Sequence, residues 1–169
     1  MKSVKLKHKD VRVYFDDEDW ERISQYTWYL GKDGYAIATI RGSDGKKHTL
    51  RMSRLIMDCP KDMQVDHRDH NINMNTKSNL RICTHAENMH NQKLRLGGSS
   101  RFKGVCYQKS IKRWYAQIQV NGKNQKHLGS FRSEINAALA YDRMARKHFG
   151  RFAFLNFPTI ESISEGQSA

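Results

Sequence analysis

Residues 63–92 concentrate side chains able to do hydrolytic chemistry. Asp66 and His67 are adjacent, Asn79 lies twelve residues beyond His67, Asn88 nine beyond that, and Asn91 three further on. A carboxylate beside a carboxamide supplies two hard oxygen donors and leaves the remaining positions of an octahedral Mg²⁺ to water and phosphate oxygens. In a strand His67 points to the face opposite Asp66, so it does not share the ion but can reach a water on the far side of a bound phosphate. Metal-assisted phosphodiester hydrolysis has this geometry: the cation stabilises charge on the phosphorane and leaving oxygen, and the imidazole takes the proton of the attacking water. The same residue types also hold turns. Asp-His pairs and Asn-rich loops, here Asn71, Asn73 and Asn75, do so through side-chain to backbone hydrogen bonds, and on chemistry alone both readings stand.

The elements that would position these residues read as strand (63–67), polar loop (68–78) and short strand (79–82). A helix follows to about residue 92, started by a capping box of Thr84 with Glu87. That order brings Asp66 and His67 opposite Asn88. Upstream, VRVYF at 11–15 predicts a strand, Asp16 to about Tyr26 an acidic helix-like turn, and 27–30, 35–41 and 47–52 further strands. Gly42-Ser43-Asp44-Gly45 joins the last two, and Ser53 is placed to cap a short helix ending before Pro60.

The run VDHRDHNINMNTKSNLRICTHAENMHN resembles the nuclease motif of the HNH family, in the branch of phage-associated homing endonucleases with D-H, a central Asn in S-N-L-R and a closing E-N-x-x-N. The resemblance implies a ββα-metal domain in which His67 is the general base and Asp66 and Asn88 bind a divalent cation. That cation would be Mg²⁺ or Mn²⁺ rather than Zn²⁺, since the third letter is Asn. It further implies that Asn79 holds the loop presenting His67 and that Asn91 contacts water or phosphate. The preceding D-D-E-D-W segment is also similar to the portion that accompanies this motif. One departure is Ser53, where relatives commonly carry His in M-H-R-L-I.

The 169-residue chain has 30 Lys+Arg against 17 Asp+Glu, a formal charge of +13, and so calls for an anionic partner. Its length suits one ordinary domain or two small ones, and 38% hydrophobic content excludes a structureless basic arm. No apolar run approaches the ~18 residues that span a bilayer, and MKSVKLKHKD lacks the apolar stretch of a secretory signal. The expectation is therefore a protein of the cytoplasm, in a bacterial or phage-infected cell, with no membrane and no evident obligate protein partner. Cys59, Cys83 and Cys106 are odd in number and form no C-x-x-C pair, against a disulfide framework or thiolate zinc site, and are expected as small buried residues. Residues 1–93 hold 17 basic and 13 acidic residues, whereas 94–169 hold 13 and 4, with no acid between Glu87 and Glu134. Leu96-Gly97-Gly98-Ser99-Ser100 reads as a linker. The expected organisation is 1–93, a linker at 94–101, a second domain at 102–158, and a tail at 159–169.

In the second domain, 102–108, 113–120 and 125–131 show strand alternation, with Asn121-Gly122 as a hairpin turn. A helix from Ser133 to about Phe149 offers Ala137, Ala138, Ala140, Tyr141, Met144, Ala145 and Phe149 as an apolar stripe. Trp114, Ala116, Ile118 and Val120 share one face of the middle strand, and Arg113, Tyr115, Gln117 and Gln119 share the other. With the helix on the first face, the second is open to DNA, where Arg pairs with guanine edges, Gln with adenine and Lys with phosphate. F-K-G-V, W-x-A-x-I, H-L-G-S-F, A-A-x-A-Y-D and L-N-F-P are similar to the plant ethylene-response-factor (apetala-two) DNA-binding domain. The resemblance implies DNA contacts by Lys103, Arg113, Gln117, Gln119, Gln125 and His127, with Lys109 and Tyr115 as neighbours. Cys106, Gln117, Gln119 and His127 depart from the plant pattern. The chain is thus expected to be α+β: an N-terminal HNH domain plus a three-stranded antiparallel sheet on one helix. Its expected function is that of a homing-type, metal-dependent endonuclease of double-stranded DNA. A non-catalytic DNA-binding regulator with a vestigial motif and an RNA-binding module are the alternatives.

Overall fold

Val4 and Leu6, set among lysines, pair with the VRVYF run in a ladder that sequence alternation alone does not announce. In the computed structural model, described over residues 1–92, 97–120 and 125–158, strand β1 (Lys2–Lys5) lies antiparallel to β2 (Arg12–Phe15), Val4 opposite Val13. The Asn121-Gly122 turn, linker residues 94–96 and the 159–169 tail lie outside the described residues. The chain divides into two units, Met1–Asn88 and Met89–Ala169, each of mixed α and β structure.

In the first unit a 3-10 turn at Asp17–Asp19 runs into α1 (Trp20–Ile23). Strands β3 (Tyr29–Leu30), β4 (Ala36–Arg41) and β5 (Lys47–Arg51) form an antiparallel sheet, and α2 (Met52–Ile56) follows directly. Ser53 does not cap that helix: Arg51 occupies the N-cap and Ser53 is buried inside, because Met52 must already turn inward to fill the core. Leu6, Val13, Phe15, Ile23, Trp28, Met52, Ile56 and Leu80 make that core, each worth roughly 1.5–3 kcal/mol when fully buried. Arg54, on α2, donates to the carbonyls of Cys59, Pro60 and Met63, and so fixes the chain entering β6 (Gln64–His67). Strand β6 pairs antiparallel with β7 (Leu80–Cys83), and α3 (His85–His90) follows, two residues shorter than expected.

In the second unit β8 (Val105–Gln108), β9 (Arg113–Gln119) and β10 (Gln125–Phe131) form one antiparallel sheet with β9 central. Helix α4 (Glu134–Phe149) lies against it through Ala137, Ala138, Tyr141 and Ala145, which meet Val105, Ala116 and Ile118. Small residues let the helix approach closely, and Gly104 completes the fit: its φ is +75°, and a Cβ there would run into the Tyr141 ring. Ser133 stands at the N-cap but its side chain makes no capping bond; its carbonyl accepts from Ala137 N instead. Fully buried Asp142 ties down the segment after the helix, accepting from the Asn156 and Phe157 amides and from the Asn156 side chain. Of the three cysteines, all free, only Cys83 is fully buried.

Candidate functional site

The two faces of the β6–β7 hairpin carry different chemistry. The register sets Asp66 opposite Arg81 and Gln64 opposite Cys83 on one face, and His67 opposite Leu80 and Val65 opposite Ile82 on the other. Asp66 and Arg81 are both buried, and Asp66 Oδ2 accepts from Arg81 Nε at 2.8 Å and Nη2 at 2.6 Å. On that face Gln64 reaches α3: its Oε1 accepts from Asn88 Nδ2 at 2.8 Å, and its Nε2 lies 3.3 Å from His85 Nδ1. Since Gln64 and Asp66 are two residues apart in a strand, Asn88 is held over the face that carries Asp66. With its NH₂ committed to Gln64, Asn88 presents its carbonyl oxygen elsewhere.

One carboxylate and one carboxamide oxygen suit a hard dication that keeps much of its water. Among the described residues no group of three or more His, Cys, Asp or Glu side chains is arranged to hold a metal, so such an ion would complete its shell from water and phosphate. The capping box forms as expected: Glu87 N donates to Thr84 Oγ1, and Thr84 N to the Glu87 carboxylate at 2.8 Å. It fixes the start of the helix that carries Asn88. Cys83, on the same hairpin face, stays a thiol, its pKa pushed up to about 11 by burial.

His67 is 3% exposed and turns the other way. Its Nε2 lies 3.3 Å from Asn75 Oδ1, and its ring stands 5.8 Å from that of Tyr35. Asn75, itself buried, donates its Nδ2 to Ile72 O, which leaves its oxygen facing the imidazole. An Nε2–H donated there puts the imidazole lone pair on Nδ1. Burial pushes the His67 pKa below its ordinary 6.5, so the ring is neutral at pH 7.

Asn79 spans the loop between the strands, its Oδ1 accepting from Asp69 N at 3.2 Å and its Nδ2 donating to Met74 O at 2.8 Å. The loop is also held from outside. Tyr14 on β2 exchanges backbone bonds with Asn73 and Asn75, and Lys77 is clasped by Asp16, which accepts from its amide, and Glu18, which accepts from its ammonium. Asn91 follows the last residue of α3, is buried and belongs to the second unit. Gln64, Asn75 and Arg81 are the site residues that sequence reasoning passed over. The alternating Asn71, Asn73 and Asn75 hinted at one, and nothing in spacing marked Gln64 or Arg81.

In the second unit Arg113, Tyr115, Gln117 and Gln119 occupy the side of β9 away from α4. The registers add Gln108 beside Arg113, Cys106 beside Tyr115, His127 beside Gln117, and Gln125 beside Gln119. The Tyr115 and His127 rings stack with centroids 4.1 Å apart. A bulge between His127 and Gly129 turns Leu128 into the core, so the face keeps its polar character on both sides of the irregularity. Lys109 is exposed in the turn after β8. Lys103 is placed differently: its ammonium donates to His90 O at 2.8 Å and Gln92 O at 2.6 Å, and burial pushes its pKa down to about 8.

No protein-family model matches this chain. It is 34% identical over 148 residues to an uncharacterized HNH endonuclease of Acanthamoeba polyphaga mimivirus, a match that covers 88% of this chain and 76% of the relative. A C-terminal region is 48% identical over 61 residues to APETALA2-like protein 2 of Oryza sativa subsp. indica. A dehydration-responsive element-binding protein of Oryza sativa subsp. japonica is 41% identical over 64 residues. These two matches cover 36% and 37% of this chain and only 14% and 20% of the plant proteins.

Proposed function

The chain belongs to the HNH endonuclease family, and from that premise we propose that it is a divalent-metal-dependent DNA endonuclease of homing type with a ββα-metal centre at 63–92. We take the nuclease domain as 1–93, a few residues past the division of the structure at Asn88 and Met89, with a linker at 94–101, a DNA-reading domain at 102–158 and a tail at 159–169. The observation that carries this is the Gln64–Asn88 hydrogen bond, which sets the carboxamide over the Asp66 face of a hairpin whose other face bears a buried histidine with its Nε2 at Asn75 Oδ1. Asp66 and Asn88 would hold the cation, Mg²⁺ or Mn²⁺. When bound, the cation supplies positive charge against the phosphorane and the leaving 3′ oxygen.

The chain's own residues do the rest. His67 takes the proton of the attacking water at Nδ1, and Asn75 keeps that nitrogen's lone pair available by accepting at Nε2. Asn79 and the Lys77 clasp hold the loop, and with it the imidazole, in place. The products are 3′-hydroxyl and 5′-phosphate ends. The open sheet face, with Arg113, Tyr115, Gln117, Gln119, Gln125 and His127, lies in the major groove of double-stranded DNA, flanked by Lys109, while the Lys103 ammonium would have to leave the His90 and Gln92 carbonyls to reach a phosphate.

A second reading, a DNA-binding regulator whose nuclease motif is vestigial, draws on the Arg81 guanidinium already bonded twice to Asp66 Oδ2. One experiment separates the two: the full chain incubated with supercoiled DNA, with Mg²⁺ and with EDTA in excess. Nicked or linear product with Mg²⁺ and none with EDTA is expected of the nuclease. Retention of DNA without product in either tube selects the regulator.

A further inference from the structure

The open face of the second unit is chemically lopsided. Its four cross-strand rows run from Gln108 with Arg113, through Cys106 with Tyr115 and Gln117 with His127, to Gln119 with Gln125. The guanidinium stands at one end, a stacked Tyr115–His127 pair fills the middle, and carboxamides dominate the other end. No acidic residue occurs between Glu87 and Glu134, so nothing on these strands repels a phosphate backbone.

Each end has a preferred base edge. Arg donates bidentately to guanine O6 and N7, whereas Gln pairs bidentately with adenine N6 and N7. Spacing follows from the strand. A strand advances about 3.4 Å per residue and duplex DNA about 3.4 Å per base step along its axis, so residues along β9 keep pace with base steps where the strand runs along the duplex axis. Arg113 to Gln117 is then about four steps, and Arg113 to Gln119 about six, by the same rises.

We propose that the sheet reads an asymmetric site with guanine at one end, set by Arg113, and adenine about four to six steps away, set by Gln117 and Gln119 with Gln125 beside them. The specificity comes from this chain's amides, and the site has no two-fold symmetry. It rests on the DNA-reading assignment above and adds the bases read.

The test is selection from random-sequence duplexes by the full-length chain in EDTA, with Gln119→Glu and Arg113→Ala chains selected in parallel. The expected wild-type sites pair a guanine with an adenine block about four to six steps away. Gln119→Glu exchanges adenine for cytosine at one position and leaves the guanine, since a carboxylate accepts from cytosine N4. Arg113→Ala relaxes the guanine about tenfold and leaves the adenines. Sites dominated by guanine throughout, or wild-type preferences unchanged in both variants, overturn the proposal while DNA reading stands. If the wild-type chain retains DNA without enriching any sequence, or retains none, the DNA-reading assignment falls and takes the proposal with it.

Discussion

The residues singled out in the two units are housed in opposite ways. In the first, Asp66 and His67 are buried and held by Arg81, Asn75 and their own strand ladder. In the second, most of the singled-out side chains stand half or fully exposed on a sheet whose other side is filled by a helix. Lys103 is the exception, its ammonium gathered in by the His90 and Gln92 carbonyls. Bond breaking demands reacting groups fixed to a fraction of an ångström, and burial with satisfied hydrogen bonds supplies that rigidity. Reading a groove demands access and tolerance of many similar surfaces, and an open sheet supplies those. The chain treats polar side chains as interior material in one unit and as surface in the other, which is the division the proposed cutting and reading would require.

The contrast breaks most visibly at His67. His67→Ala should lower the cleavage rate about 10²–10⁴-fold while a gel-shift assay finds DNA affinity within about twofold of wild type; Arg113→Ala should do the reverse at saturating DNA. The wild-type pH profile sharpens the point. Well above pH 6.5 His67 is neutral in both folded and unfolded chains. Below it the unfolded chain takes up a proton that the buried ring resists, so stability falls as pH drops from 6.5 through the lower folded value. With His67 as the proposed base, cleavage should hold its plateau to below pH 6.5, and a rate midpoint above 6.5 would remove His67 from that role.

Stability should divide the units in the same way. Arg81→Ala strands a buried carboxylate and should cost about 3–5 kcal/mol in urea unfolding, whereas Arg113→Ala should stay within about 0.5 kcal/mol. Equal losses would mean that the two arginines are housed alike. Gln64→Leu releases the Asn88 amide and should raise the Mg²⁺ concentration needed for half-maximal cleavage about 10–100-fold, with DNA affinity in EDTA unchanged. The smallest effect belongs to Lys109→Ala, which should reduce the salt-dependence slope of DNA binding by about one and leave the cleaved site the same.

Much of this contrast is legible in the residues themselves. The Thr84–Glu87 box, the two faces of β9 and the alanine stripe of α4 follow from fixed local offsets, and the structure has all three. What escapes is partner choice across distance. Arg81 meets Asp66 because of a hairpin register, Gln64 meets Asn88 because a helix returns over a strand, and β1 forms because β2 has an open edge. None of these is periodic in sequence. Ser53 and Ser133 mark a further limit: each is a good capping residue near a helix start, but backbone direction is set by the core in one case and by the chain leaving β10 in the other.

The Asp66–Arg81 pair has a consequence for the life of the molecule. A buried carboxylate matched to a guanidinium carries no unbalanced charge, so this pair gives the hairpin no electrostatic need of a dication in order to fold, unlike small domains in which metal binding and folding are one event. On the proposed function, the first unit would then fold and stay ready where free divalent ions are scarce. If the proposed metal-dependent cleavage holds, removing those ions would silence it without unfolding the hairpin.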